Sequence, residues 1–173
     1  MVERFNLALI FDDDFSKRII NYAQRLNQSG RSKLQLGQSS RPHLTIIQFD
    51  SSQEKAKKLW TAVSGMKKEA ISIYAAGLTF LPSSGGGAWI EIAILKSKAL
   101  LDLQEFSIAT LPDVKLVSDV RDAYRPHITL ARFIEGEIPM GFPLDYEVLR
   151  ASGVLAYPAI GRGTHFEGTP VFG

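Results

Sequence analysis

The spacing of hydrophobic and polar residues changes from segment to segment along the chain. It predicts strands in some segments and helices in others. The continuous apolar run 5–11 predicts a buried strand, and the apolar positions of 15–27 recur every three or four residues, as in an amphipathic helix. Three acidic residues, Asp12–Asp14, stand directly before this helix. Because the helix dipole favours negative charge there, we interpret them as an N-cap and first-turn charges rather than as a metal site.

The rest of the chain continues this mixture of periods. Ser51–Glu54 matches a capping box, and the apolar stripe that follows it predicts a second helix. The further elements predicted are strands near 70–80 and 88–95, a helix over 97–109, a strand over 126–133, and strands around 145–160 and 168–172.

Two connecting segments carry residue types that bind phosphate in other proteins. The glycine-rich segment 82–87 predicts a hairpin turn, because a phosphate-binding glycine loop needs a helix directly after it and a strand follows here. The polar segment 28–40 contains Arg31 and Lys33. It is either a mobile lid over a substrate or a plain surface connection.

Two matched hexads carry the strongest functional signal in the chain. Arg41–Ile46 reads Arg-Pro-His-Leu-Thr-Ile, and Arg125–Leu130 reads Arg-Pro-His-Ile-Thr-Leu. Each hexad is typical of the start of a strand, where proline is tolerated. Because side chains on a strand alternate between its faces, the histidine and the threonine of each hexad share one face, and the aliphatic residues occupy the other.

The repeated His and Thr predict two adjacent central strands whose histidines converge on one cleft and perform acid–base chemistry there. A purely structural duplication would repeat the proline and the aliphatic residues, but it gives no reason to repeat polar residues on the open face. Two imidazoles suit paired proton transfer, because one ring can be neutral while the other is protonated near neutral pH. Threonine hydroxyls can donate hydrogen bonds to phosphate oxygens that gain charge in a transition state.

The two His-x-Thr-x elements resemble the signature of the 2H phosphoesterase superfamily. Its members include bacterial RNA 2′,3′-cyclic phosphodiesterases, also called 2′-5′ RNA ligases. The second element, Tyr124–Arg132, is most similar to this RNA-directed branch, whereas Ile47–Asp50 departs from the Phe-Leu-Gly that commonly follows the first motif there. The resemblance implies an α+β fold with two pseudo-twofold-related lobes, antiparallel sheets lining a central cleft and helices outside. It implies a single bilobal domain over residues 1–173.

The resemblance also implies a function and its residues. The protein would be a metal-independent phosphoesterase that hydrolyses a nucleoside or RNA 2′,3′-cyclic phosphate. His43 and His127 would form the acid–base pair, with His127 as the base and His43 as the acid, and Thr45 and Thr129 would bind the phosphate. Arg132 matches an arginine that lies near substrate in the RNA-directed proteins. Strict alternation places Arg132 on the face opposite Thr129, so a bulge must turn it towards the cleft.

Several alternatives remain open at the level of sequence. The same chemistry could act on ADP-ribose cyclic phosphate or on a 2′-5′-linked or cyclic oligonucleotide, or the chain could be a non-catalytic nucleotide-binding module. Arg41 and Arg125 either reach phosphate or are solvated. His165 is interpreted as an exposed residue of a hairpin turn. The aromatic candidates for stacking on a base are Phe49, Trp89, Tyr124 and Tyr157.

Composition narrows the class of protein. The chain has 173 residues, a net charge of +2 and no cysteine, which excludes disulfides and thiolate metal sites within it and fits a reducing cytoplasm. The charge is too small to favour broad binding to duplex nucleic acid. Neither a transmembrane run nor a secretory leader is recognisable, so we expect a cytoplasmic protein. We expect no metal, no cofactor and no obligate protein partner, and a nucleotide or RNA end carrying a cyclic phosphate as the ligand.

Overall fold

The computed structural model describes residues 2–28, 31–37, 40–65, 70–83, 86–139 and 141–173. Its strands are β1 Glu3–Phe11, β2 His43–Ser51, β3 Ile71–Pro82, β4 Ala88–Ile94, β5 Lys115–Leu116, β6 His127–Phe133, β7 Ser152–Arg162 and β8 Glu167–Phe172. Its helices are α1 Asp13–Leu26, α2 Gln53–Gly65, α3 Lys98–Thr110 and α4 Tyr146–Leu149, and Arg121–Ala123 forms a 3₁₀ turn.

The strands form one antiparallel sheet that divides into two lobes. The strand order is β5-β2-β1-β7-β3-β4-β6, and β8 pairs with β7. The long strand β3 joins the halves, because residues 71–74 pair with β7 whereas residues 75–82 pair with β4. We call β5, β2, β1 and β7 the first lobe, and β4, β6 and the second half of β3 the second lobe. The predicted α+β architecture of two lobes is confirmed.

The helices cover the outer faces of the lobes and cross between them. α1 follows β1 of the first lobe but packs against β6 of the second, whereas α3 follows β4 of the second lobe and packs against β2 of the first. The apolar stripe of α1 that sequence periodicity predicted is buried. Each motif strand is therefore held in place by a helix from the other half of the sequence.

The helix starts follow the predicted capping. Asp12 is the N-cap of α1, and its side chain accepts a hydrogen bond from the Phe15 N–H at 2.7 Å. The Ser52 hydroxyl accepts a hydrogen bond from the Lys55 N–H at 3.4 Å at the start of α2. The interpretation of the acidic run as cap and first-turn charges is confirmed.

Two predictions about connections can be compared with the structure, and one is wrong in part. The strands on either side of residues 82–87 pair as a hairpin, as predicted, although Ser84 and Gly85 lie outside the described residues. The strand predicted from residue 145 begins only at Ser152, because α4 precedes it. Asp145 caps α4 by accepting a hydrogen bond from Val148 N–H, and burial of Val148 stabilises this short helical turn against the core.

Candidate active site

The two hexads converge on one cavity between the lobes. His43 and Thr45 begin β2, and His127 and Thr129 begin β6. All four side chains line the same cavity, which has a volume of about 370 Å³. The aliphatic residues that alternate with them are fully buried under the helices. The alternation read from the sequence thus places two imidazoles and two hydroxyls in one cleft.

The motif strands are not neighbours within the sheet, so our expectation of side-by-side motif strands is wrong in its pairing. β2 lies between β1 and β5, whereas β6 is at the far end of the strand order and pairs with β4. The strands nevertheless approach each other, and their histidines share a cavity. The sheet therefore curls until its distant strands face each other across the cleft.

A β-bulge follows the threonine of each motif. In the first lobe the register shifts between Leu7 and Ala8, so that Ile46 is the extra residue after Thr45. In the second lobe the shift lies between Ile90 and Glu91, and Leu130 is the extra residue. A bulge reverses the alternation of the side chains that come after it. The equivalent residues Gln48 and Arg132 are therefore turned towards the cleft face.

This bulge turns Arg132 to the cleft face, as the sequence required, but Arg132 itself does not line the cavity. It pairs with Trp89 in the β4–β6 register, and its guanidinium carbon lies 4.9 Å from the centre of the Trp89 ring. Its Nε atom is buried and has no hydrogen-bond partner among the described residues. The Arg132 N–H donates to the Ser32 hydroxyl, and the Lys33 N–H donates to the Arg132 carbonyl. Both partners belong to the loop that precedes β2.

Both histidines have the same hydrogen-bonded tautomer. Nδ1 of His43 lies 2.7 Å from the carbonyl oxygen of Arg41, and Nδ1 of His127 lies 2.7 Å from that of Arg125. A carbonyl oxygen can only accept, so each Nδ1 must carry a proton and donate. Nε2 is then left in both rings as the nitrogen that can gain or lose a proton.

The two rings differ in burial. His43 is 9% exposed and packs against the Phe166 ring, whose centre is 5.5 Å from its own. Burial lowers the pKa of His43 to about 4, despite the opposing hydrogen bond to the Arg41 carbonyl. The side chain of His127 is 29% exposed. At neutral pH, His43 therefore has an unprotonated Nε2 that faces the cleft.

Glu91 is a site residue that sequence reasoning missed. It lies on β4 opposite Thr129, its side chain is 5% exposed, and it lines the cavity. Its Oε2 forms an ion pair with Arg125 at 2.5 Å, and its Oε1 lies 3.4 Å from Nε2 of His127. We assigned residues 88–95 to a strand and gave the carboxylate no role. A charged residue between two buried isoleucines was the signal that could have identified it.

Hydrogen bonds orient the first threonine. The Asn6 side-chain amide donates to the Thr45 hydroxyl oxygen at 3.1 Å and to the Thr164 carbonyl at 3.2 Å. Because that hydroxyl oxygen accepts from Asn6, its own hydrogen can be directed to a ligand. The Tyr124 hydroxyl donates to the Thr45 carbonyl at 2.8 Å, and Tyr124 itself is buried.

His165 is not the exposed turn residue that we expected. It does lie in the turn between β7 and β8, but its ring is half-buried, lines the cavity and lies 5.7 Å from the Trp89 ring. The turn folds back over the cleft because the side chains of Asn6 and Gln48 donate to the Thr164 carbonyl and Ser40 donates to the His165 carbonyl. Burial lowers the pKa of His165.

The other aromatic candidates separate into core and cleft residues. Phe49 is fully buried and stacks on Phe5, so it is not available to a ligand. Tyr124 acts as a hydrogen-bond donor to β2, as described above. Trp89 lines the cavity, and Tyr157 is 45% exposed on the sheet. The structure thus removes Phe49 and Tyr124 from the set of residues that could stack on a base.

Residues 31–37 pack against the second lobe. Ser32, Leu34 and Leu36 are buried, and the Lys33 N–H donates to the Arg132 carbonyl at 2.8 Å. For this part of the predicted loop the structure favours a packed connection. Residues 29, 30, 38 and 39 of the same loop lie outside the described residues.

The described part of the chain contains neither a cluster of metal ligands nor a helix that could span a membrane. No group of three or more His, Asp or Glu side chains there could hold a metal ion. Among the same residues, no helix combines the length and the apolar character needed to cross a membrane.

Comparison with known proteins identifies the fold. No protein-family model and no curated protein matches the sequence. Among solved structures, E. coli LigT complexed with ATP aligns with a TM-score of 0.61 and 15% identity over 99% of this chain and 96% of LigT. E. coli LigT complexed with 3′-AMP aligns with a TM-score of 0.60 and 14% identity, over 98% of this chain and 95% of that one.

A third solved structure has the same fold. The MHV ns2 PDE domain aligns with a TM-score of 0.52 and 17% identity, over 94% of this chain and the whole of that domain. At these identities the likeness concerns architecture. The fold is therefore shared with E. coli LigT and with the MHV ns2 PDE domain, and it agrees with the two-lobed α+β architecture that the hexads implied.

Proposed function

We propose that the protein is a metal-independent phosphoesterase that hydrolyses a nucleoside or RNA 2′,3′-cyclic phosphate, with His43 and His127 as the acid–base pair. One observation carries this proposal: two histidines with identical Nδ1 hydrogen bonds line one cavity together with two threonine hydroxyls. Nucleotide chemistry also fits the fold, because E. coli LigT has been crystallised with ATP, 3′-AMP and NADP⁺.

We assign the base role to His43 and the acid role to His127, the reverse of what the resemblance implied. His43 is neutral at physiological pH, since burial lowers its pKa to about 4. Its Nε2 can therefore take a proton from the attacking water. His127 has the Glu91 carboxylate 3.4 Å from its Nε2, so a protonated Nε2 would have a charged acceptor beside it.

The reaction then balances without a further group. A water oxygen attacks phosphorus while its proton passes to His43 Nε2, and one ribose oxygen leaves with the proton of His127 Nε2. The product is a nucleoside monophosphate, and the two rings exchange protons with solvent before the next turnover. Thr45 and Thr129 donate hydrogen bonds to the non-bridging oxygens, whose charge grows in the transition state. Arg132 adds positive charge at the edge of the site.

A substrate panel in EDTA tests the proposal. Nucleoside 2′,3′-cyclic phosphates, ADP-ribose 1″,2″-cyclic phosphate and 2′-5′-linked oligonucleotides are assayed with the wild type and with the His43→Ala and His127→Ala variants. We expect turnover of a 2′,3′-cyclic phosphate that survives chelation and is lost in both variants. Turnover of another member of the panel would keep the chemistry and change the substrate.

Two results would contradict the proposed mechanism. Activity that disappears in EDTA and returns with a divalent ion would require a reaction that the two imidazoles do not perform alone. Nucleotide binding without turnover at any pH would favour a non-catalytic binding module.

A further inference from the structure

Four large hydrophobic side chains form an exposed strip on the sheet. They are Tyr74, Leu95, Leu155 and Tyr157, with exposed fractions of 41, 55, 46 and 45%. We call this group the tyrosine strip. Single exposed hydrophobic residues are ordinary on a protein surface, whereas a contiguous group indicates a binding surface.

The backbone pairing makes the strip continuous. Leu155 and Tyr157 are two residues apart on β7, so they point to the same face of the sheet. Ser72 of β3 pairs with Leu155, and Tyr74 follows on that strand. The Leu95 N–H donates to the Tyr74 carbonyl at 2.9 Å, which brings Leu95 next to Tyr74.

The strip lies on the same face as the candidate active site. Tyr157 pairs with Ile10, and Ile10 pairs with His43; residues directly opposite in an antiparallel sheet share a face. Tyr157 is thus two strands from His43, which is roughly 10 Å at the usual strand spacing. At the other end, Leu95 lies two residues beyond Ala93, which pairs with His127.

The strip is exposed, whereas the part of this face beside it is covered. Beside it, the Phe166 ring packs on Ala8 and Ala159, with Ile10 against the same cluster, and covers that region. The sheet curls so that the His43 and His127 strands face each other. The strip therefore lies on the strands that connect the His43 strand with the His127 strand.

We propose that the tyrosine strip binds the nucleotides that lead to the 3′ end of a single-stranded RNA whose terminal phosphate occupies the candidate active site. This inference rests on the proposed function. Exposed tyrosines on a sheet are suited to stack on unpaired bases, and such stacking tolerates any base. Lys96 directly follows Leu95 and is exposed, and its Nζ donates to the Asp122 carbonyl at 3.0 Å, so one cation lies beside that end of the strip. The strip continues the face that carries both histidines, so an RNA strand whose end occupies the candidate site can lie along it.

The test compares a long and a short substrate. The kcat/KM of a tetranucleotide ending in a 2′,3′-cyclic phosphate is divided by that of the nucleoside 2′,3′-cyclic phosphate with the same terminal base. We expect the wild type to prefer the tetranucleotide by about 100-fold, because each stacked base contributes about a factor of 10. The double variant Tyr74→Ala/Tyr157→Ala should lose most of this preference. Tyr146→Ala, which removes an exposed tyrosine from α4, should retain it.

A binding measurement separates this inference from the proposed function. Fluorescence anisotropy of a labelled tetranucleotide with a 3′-hydroxyl end reports on the strip without turnover. Weaker binding in the double variant than in Tyr146→Ala supports the strip even if no cyclic phosphate is hydrolysed. Equal binding in both variants overturns the strip, whatever the activity on the nucleoside substrate.

Sedimentation tests the other occupant. If the wild type forms a dimer that the double variant abolishes, the strip is an interface between two copies and the RNA assignment is overturned. A wild type that stays monomeric, together with strip-dependent binding of the tetranucleotide, supports the assignment.

Discussion

The two lobes carry the same motif in different surroundings. In the first lobe, the residue opposite Thr45 is Ala8, and His43 is enclosed beside Phe166. In the second lobe, the residue opposite Thr129 is Glu91, whose carboxylate faces the half-exposed His127. Equivalent backbones thus present two imidazoles with different neighbours. A motif that occurs twice can thus have two environments, and under the proposed mechanism two roles, through the strand beside it.

The same contrast extends past the bulges. Gln48 and Arg132 occupy equivalent positions, but Gln48 donates to the Thr164 carbonyl, whereas Arg132 lies over Trp89. In the first lobe, the Gln48 side chain therefore stabilises the turn between β7 and β8. In the second lobe the equivalent side chain is a cation beside Trp89, and Trp89 lines the cavity. Arg132 and the Glu91 carboxylate both lie in the second lobe, where we place His127 as the acid.

Removal of either imidazole is expected to have the largest effect. His43→Ala and His127→Ala should each lower kcat by about 10²–10⁴-fold, the usual contribution of a general acid or base. A phosphodiester with a p-nitrophenolate leaving group separates the roles, because this group departs without a proton. His127→Ala should recover much of its activity on that substrate, and His43→Ala should not. The opposite pattern would exchange the two assignments.

The burial of His43 predicts a loss of stability in acid. The folded protein has a pKa of about 4 at this ring, whereas the unfolded chain has the ordinary value of about 6.5. Between these values the unfolded state binds more protons, so the free energy of unfolding falls as the pH falls from 6.5 to 4. The contribution amounts to about 3 kcal/mol at about 1.4 kcal/mol per pKa unit. Urea unfolding at pH 7, 5.5 and 4 measures it.

A matched substitution separates the contribution of His43 to the pH dependence of stability from that of other titrating groups. His43→Gln removes the titrating group and should give a flatter dependence of unfolding free energy on pH than the wild type. The same substitution at half-exposed His127 is the control. If both variants keep the wild-type slope, another group causes the acid dependence, and the enclosed environment of His43 does not influence stability.

Replacement of the Glu91 carboxylate tests whether this group gives His127 its proposed role. Glu91→Gln keeps the shape of the side chain but removes the charge beside His127 Nε2 and Arg125. We expect kcat/KM to fall by about 10-fold, since the proton on His127 Nε2 loses its charged acceptor and Arg125 loses its ion-pair partner. The exposed substitution Glu105→Gln on α3 is the control. An unchanged kcat/KM in Glu91→Gln would reduce Glu91 to a structural partner of Arg125.

Sequence reasoning identified the parts of this site that local periodicity determines. His43, Thr45, His127 and Thr129 share a face because strands alternate, and this rule needs no knowledge of the fold. The position of Arg132 required one exception to the rule, a bulge, which the β4–β6 register contains. Strand order depends on contacts between distant segments, and for this reason the separation of β2 from β6 was not predicted.

Other features were missed because tertiary contacts determine them. His165 enters the cleft only because Asn6 and Gln48 hold the carbonyl of the preceding residue. Glu91 acquires a role only when the curled sheet brings Arg125 and His127 to its strand. Neither arrangement leaves a periodic trace in the sequence.

The smallest expected effect concerns the hydrogen bond that distinguishes the two threonines. Asn6 donates to the Thr45 hydroxyl oxygen at 3.1 Å, so Asn6→Ala should leave that hydroxyl free to rotate and lower kcat/KM by a few-fold. Thr45→Ala should cost about 10-fold, near the 1–1.5 kcal/mol of one hydrogen bond. If Asn6 acts through Thr45, the double variant should be no worse than Thr45→Ala alone. Additive losses would instead assign Asn6 to the Thr164 turn, to which its amide also donates at 3.2 Å. The non-additive outcome would identify the first lobe as the one with the preoriented hydroxyl.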